Sequence, residues 1–180
     1  MKKRDRQAEK KIIDFLLDYT GKKHYLSIIA KGSGVSTSTC HQILEKKTKA
    51  GLVKKEKYGN LSLYTFDLDD PLVRQLKITR TVEILKKLVK ELKKESQKII
   101  LFGSASLGRN TYQSDLDLFI LTNEKQQVRR IIKKFKTKSK IQPVIKNILE
   151  FGKLKRKDKF FYEEINRGTV LWEAKSGRSI

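Results

Sequence analysis

Hydrophobic positions along this chain fall into two rhythms, helical first and strand-like later. Ile12, Ile13, Phe15, Leu16 and Leu17 predict an apolar-faced helix that stops near Thr20-Gly21, where glycine permits a left-handed end. A short helix is predicted over residues 25–31, with Leu26, Ile29 and Ala30 turned inward, followed by a tight turn at GSGVS. Ser36 is placed to cap a third helix over residues 37–49, whose Cys40, Ile43 and Leu44 face a core. Beyond Gly51, the segments LVKKEKY and LSLYTFDL straddle Gly59-Asn60 and read as a hairpin. Leu76, Val82, Leu85, Leu88, Val89 and Leu92 then keep a roughly helical period, with lysines between them, and predict one helix or two.

After residue 96 the runs shorten and alternate with helical patterns, as in an α/β layer. A strand over residues 98–102 enters a Gly-Ser turn and a short helix, and a second strand follows over residues 115–121. A basic helix over residues 124–138 buries Val128, Ile131, Ile132 and Phe135, and a third strand spans residues 141–145. A helix over residues 159–166 offers Phe160, Phe161 and Ile165 to the core, and residues 169–172 make a last short strand. The resulting division is residues 1–70, a helical linker over 71–95, and an α/β sandwich with a small mixed sheet over 96–180.

Charge adds a polyanion to this picture. The net charge is +22 in 180 residues, shared evenly between the two halves, and such a field attracts phosphate backbones. One cysteine, Cys40, excludes a disulfide framework and suits a reducing compartment. No apolar run has the length of a signal peptide or a membrane span, so the expected location is cytoplasmic, with no membrane partner. His24 has no metal-ligand spacing to His41 or Cys40.

The chemistry concentrates in residues 99–121, IILFGSASLGRNTYQSDLDLFIL. Alternate strand residues share a face, so Asp115 and Asp117 lie on one side and Leu116 and Leu118 on the other. Two carboxylates about 4 Å apart repel by roughly 4 kcal/mol at an effective dielectric near 20. A divalent metal held by oxygen ligands is the usual reason to keep such a pair. Gly103 and Ser104 sit where strand turns into helix, where backbone N–H groups and a hydroxyl receive phosphate oxygens.

This string resembles the signature of the polymerase-β-type nucleotidyltransferase superfamily, and especially its minimal nucleotidyltransferases. The matching residues are Phe102, Gly103, Ser104, a ten-residue spacer, then Asp115, Leu116, Asp117 and Leu118, with Gly108 and Ser114 also fitting the minimal form. The resemblance implies transfer of a nucleoside monophosphate from a nucleoside triphosphate, ATP being the expected one, to a hydroxyl acceptor. It makes Asp115 and Asp117 the catalytic residues and the ligands of Mg²⁺, and Gly103 and Ser104 the holders of the phosphates. Arg109 or Lys146 would add positive charge.

Residues 5–70 resemble a winged helix-turn-helix domain, carried by the string from Leu26 through Leu52-Val53-Lys54-Lys55 and by Tyr64 in the second wing strand. That resemblance implies double-stranded DNA as a partner. Thr37, Ser38, His41 and Gln42 would reach base edges, and Lys54, Lys55 and Lys57, with Lys22 and Lys23, would meet phosphates.

The superfamily's third carboxylate belongs on a later strand beside the first two, here residues 141–145, and its place is filled by Gln142. A neutral amide is a poor metal ligand and no general base. Two further readings therefore stand beside the enzyme: a DNA-binding regulator that senses nucleotide without turnover, and an antitoxin with a toxin-like protein partner. A homodimer is the remaining partner expectation.

Overall fold

The computed structural model describes residues 3–174, which divide into two compact units between Arg80 and Thr81. In the first unit, α1 (Lys3–Asp18) is followed by the two-residue strand β1 (His24–Tyr25), α2 (Leu26–Ser33) and α3 (Thr37–Lys49). The hairpin β2 (Val53–Tyr58) and β3 (Leu61–Phe66) completes a three-stranded antiparallel sheet ordered β1-β3-β2. Ser36 caps α3 by accepting a hydrogen bond from the Thr39 N–H at 3.3 Å, satisfying one of the donors a helix start leaves open. Gly34 ends α2 at φ +64° and Gly59 turns the hairpin at φ +56°, both left-handed values that favour glycine.

The first core gathers Ile12, Leu16, Ile29, Cys40, Leu44, Tyr64 and Phe66, so the inward positions read from helical spacing do face one another. The cysteine is a small core residue whose thiol burial pushes up to about 11, which removes it from nucleophilic chemistry.

The stretch after residue 70 is one helix, α4 (Pro71–Leu92). Proline at its first position costs no hydrogen bond there, and Asp70 Oδ1 accepts from the Leu72 N–H at 2.7 Å. Its first half gives Val73 and Leu76 to the core of the first unit. Leu85, Leu88 and Leu92 of its second half belong to the core of the second.

In the second unit, β4 (Lys98–Phe102), α5 (Gly103–Ser106), β5 (Leu116–Leu121), α6 (Lys125–Lys134), β6 (Ile141–Lys146), α7 (Ile148–Lys157), α8 (Lys159–Asn166) and β7 (Thr169–Glu173) follow in order. The sheet runs β6-β5-β4-β7; β5 and β6 are parallel and the other pairs antiparallel, so it is small and mixed as expected. Ile99, Leu101, Leu116, Leu118 and Ile120 face the layer of α4 and α6, while Ile100, Phe102 and Phe119 face α7 and α8. Each such fully buried aliphatic side chain is worth about 1.5–3 kcal/mol.

Three local expectations change. The basic helix ends at Lys134 rather than 138, with Phe135 extended at φ −77°, ψ 123° and packed against the core. Continuing it would stack Lys134 on Lys138, a like-charged pair four residues apart. Phe160, offered to the core by its spacing, is 78% exposed, and Phe161 and Ile165 pack instead. Helix α7 is new, started by a capping box in which Asn147 and Glu150 satisfy each other's backbone N–H groups at 2.8 and 2.9 Å. Among the described residues, no helix is long and apolar enough to cross a membrane.

Candidate active site

The site forms at one end of the four-stranded sheet, because antiparallel pairing of β4 and β5 sets Phe102 opposite Asp117. The chain leaving β4 therefore turns directly beside the carboxylate. Gly103 makes that turn at φ +65°, and a Cβ there would overlap Asp117 Oδ2 and lie 3.2 Å from Cγ. Glycine is required twice, for the left-handed backbone and for the close approach. Among the described residues, no protein group hydrogen-bonds the Ser104 hydroxyl next to it, whereas its carbonyl oxygen accepts from the Leu107 and Arg109 N–H groups at 3.3 and 2.9 Å.

The connection from α5 to β5 is tied at its end. Ser114 Oγ accepts from the Thr111 N–H at 2.9 Å, and the Ser114 N–H donates to the Thr111 carbonyl at 3.1 Å. This turn delivers Asp115 immediately before β5, so the strand starts one residue later than the 115–121 expected from the sequence. Asp117 is half-buried, and burial, then the negative charges of Asp115 and Glu164, hold its carboxyl above the ordinary carboxylate range.

Parallel pairing of β5 and β6 puts Gln142 beside Asp117, the neighbouring-strand position where the sequence places it. Its Nε2 donates to Asp115 Oδ2 at 3.0 Å. The amide thus removes the repulsion that a third anion would bring, and occupies one carboxylate oxygen. Among the described residues, no group of three or more His, Cys, Asp and Glu converges closely enough to hold a metal ion.

Sequence spacing gives no support to Glu164, yet its charge acts on Asp117. Phe161, one turn earlier on α8, packs its ring edge-on to Phe102 with centroids 5.8 Å apart, and Phe102 pairs with Asp117. Glu164 shares that helical face, and among the described residues it pairs with no cation. The sequence holds only the i, i+3, i+4 stripe of Phe161, Glu164 and Ile165, with one acidic member, and that stripe does not say what the helix covers. Three other acids of this unit have structural partners: Glu150 with Lys125, Glu163 with Arg167, and Asp158 as the N-cap of α8.

In the first unit, Thr37, Ser38, His41 and Gln42 are all exposed on α3. The basic residues expected to meet phosphates are differently placed. Lys54 pairs with Asp67 at 2.9 Å, Lys55 with Glu45 at 2.5 Å and Lys23 with Glu56 at 2.6 Å, while Lys57 is exposed. The hydrogen bond to Lys55 lowers the Glu45 carboxyl below its ordinary value.

Residues 82–171 match the family model of the nucleotidyltransferase domain, a span that takes in the whole site. No curated protein matches the chain. Among solved structures, the chain is similar to a Sulfolobus solfataricus protein provisionally called a nucleotidyltransferase, at 13% identity and a TM-score of 0.42. That likeness covers 63% of this chain and 99% of the other.

Proposed function

The chain belongs to the nucleotidyltransferase-domain family, and from that premise we propose that it transfers a nucleoside monophosphate from a nucleoside triphosphate, ATP being the expected donor, to a hydroxyl acceptor. The observation that carries this reading is the packing of Gly103 against Asp117, which brings a phosphate-type turn and a carboxylate pair into one place. The backbone at Gly103 and the uncommitted Ser104 hydroxyl hold the phosphates. Asp115 and Asp117 present hard oxygen donors, and the charges acting on Asp117 are negative, so the donor set fits a divalent cation such as Mg²⁺. When bound, that ion neutralises charge on the triphosphate and on the departing pyrophosphate. The chain's own residues orient the α-phosphate for in-line attack. The deciding assay is incubation of the pure protein with Mg²⁺, each labelled nucleoside triphosphate and cell extract. Label transferred to an acceptor supports the reading, and no transfer from any triphosphate overturns it.

The first unit is the docking module in this reading, with the element order of a winged helix-turn-helix and duplex DNA as its partner. The exposed row Thr37, Ser38, His41 and Gln42 supports base contacts. Lys57 supports a phosphate contact, while Lys54 and Lys55 must leave Asp67 and Glu45 to join it.

One observation favours a second reading, a regulator or antitoxin that binds nucleotide without turnover. Gln142 both lacks charge and engages Asp115. Nucleotide binding with no product, in the same assay, selects this alternative.

A further inference from the structure

Gly103, Ser104 and the carboxylate pair answer to the phosphates of a nucleotide, and none of them offers a surface to its base. Among the described residues, the second unit exposes two large aromatic side chains, Tyr112 and Phe160. Both belong to segments that border the site: Tyr112 lies in the tied turn that delivers Asp115, and Phe160 in the first turn of α8. Phe160 is the more open of the two, at 78% exposure against 40%.

The faces of α8 fix where that ring stands. Phe102 is opposite Asp117 across β4 and β5, so the two side chains share the face of the sheet that α8 covers. Phe161 sits edge-on to Phe102, and Ile165 is fully buried in the same core. Tyr162 turns to one flank of the helix, its ring centroid 5.0 Å from that of Phe151 on α7. Glu164 turns to the opposite flank, and from there its charge acts on Asp117. Phe160 comes four residues before Glu164, about 40° from it around the helix, so it shares the flank of Glu164. One turn, about 6 Å, separates the two side chains, which is the scale of the sugar that joins a base to its α-phosphate.

The ring is also held in place. Asp158 Oδ1 accepts from the Phe161 N–H at 3.0 Å, and the Asp158 carbonyl accepts from the Tyr162 N–H at 3.0 Å, so Phe160 is presented from a capped first turn. Lys157, Asp158 and Lys159 beside it are charged and exposed. That setting suits one flat ligand ring better than the broad apolar face of a protein partner.

We propose that Phe160 is the base platform of the site: a purine ring of the nucleoside triphosphate stacks on its face while the α-phosphate lies at Asp115 and Asp117. This rests on the nucleotidyltransferase reading and names the side chain that selects the donor's base. Stacking requires no hydrogen bond from the base edge and strengthens with ring area, so purines bind ahead of pyrimidines.

The test uses the full chain with Mg²⁺ and three probes: a non-hydrolysable adenosine triphosphate analogue, its cytidine counterpart and inorganic tripolyphosphate. Calorimetry of the wild type is expected to rank them in that order. Phe160→Ala is expected to lose about tenfold in affinity for the adenosine analogue. It is expected to bind tripolyphosphate as the wild type does and to keep its melting midpoint, since an exposed ring is removed. Phe160→Tyr is expected to retain the adenosine affinity. The ring current of a stacked aromatic gives a direct signal: the adenine H2 and H8 proton resonances shift upfield on binding wild type or Phe160→Tyr, and not on binding Phe160→Ala. Unchanged adenosine affinity in Phe160→Ala, an equal loss for tripolyphosphate, equal wild-type affinity for the two nucleotides, or a loss in Tyr112→Ala alone overturns the platform. In each of those results the wild type still binds nucleotide, and the enzyme reading stands. A wild type that binds none of the three probes overturns that reading itself, and the platform with it.

Discussion

Replacing Gln142 by aspartate tests how far the missing carboxylate limits this site. In the wild-type chain the Gln142 amide donates to Asp115 Oδ2 at 3.0 Å and stands in register with Asp117. Gln142→Asp exchanges that donor for a third anion. At about 4–5 Å and an effective dielectric near 20, each new repulsion is worth about 3–4 kcal/mol. Solvent access at this exposed position cuts that to about 1–2 kcal/mol in total. For a unit of this size, that lowers the melting midpoint by about 5–15 °C without metal. Mg²⁺ is expected to restore the midpoint in the variant and to move it much less in wild type. Transfer is expected to rise at least tenfold, about 1.4 kcal/mol of barrier, since a positioned base is worth about 10²–10⁴ in rate. Gln142→Ala loses only one hydrogen bond, about 1 kcal/mol, and gains no activity. The assays are thermal melts with and without Mg²⁺ and pyrophosphate release under single-turnover conditions. A fast wild-type enzyme that neither substitution alters would refute the placement of the third acid beside Asp117.

Gly103→Ala forces a left-handed alanine into Asp117 Oδ2, so a loss of at least about 1–2 kcal/mol in stability and a larger loss of nucleotide binding are expected by melting and calorimetry. Glu164→Gln removes one of the charges acting on Asp117 and is expected to weaken Mg²⁺ affinity several-fold by titration calorimetry, leaving the melting midpoint nearly unchanged; unaltered affinity assigns Glu164 to surface alone. His24 is buried against Phe15 and Tyr19, with ring centroids 5.2 and 5.6 Å away, and burial, then Lys22, lowers its imidazole from 6.5. Below pH 6.5 the unfolded chain takes up a proton that the folded chain does not, so stability is complete above that pH and declines below it. Circular-dichroism melts of wild type and His24→Phe across pH 5–8 check this, and an equal decline in both contradicts it.

Much of the fold was legible where one physical signal dominated. Ser36 before the Cys40, Ile43, Leu44 stripe locates α3, and the apolar runs at Ile99 and Leu118 locate two buried strands. Helix α7 was not legible from hydrophobicity because Gly152 and the lysines interrupt Phe151 and Leu154; its signal was the Asn147-x-x-Glu150 box. Strand β1, only two residues long, carries no period at all and exists because His24 and Tyr25 pair with Tyr64 and Leu63. In the site, Gly103, Asp115, Asp117 and Gln142 were readable because a turn and a two-residue period act locally. Glu164 was not, because only the packing of Phe161 on Phe102 brings its helix over the sheet. The pairing of Lys54 and Lys55 with Asp67 and Glu45 was equally hidden, since those contacts join separate elements.

Metal-dependent nucleotide binding at the carboxylate pair tests the central claim most directly. Wild type and the double variant Asp115→Asn, Asp117→Asn are titrated with a non-hydrolysable nucleoside triphosphate, with Mg²⁺ and with EDTA. The expected result is wild-type binding that Mg²⁺ strengthens, and a double variant that folds normally, its mutual repulsion relieved, but no longer responds to the metal. Identical Mg²⁺-dependent affinity in the two proteins would contradict the assignment of Asp115 and Asp117.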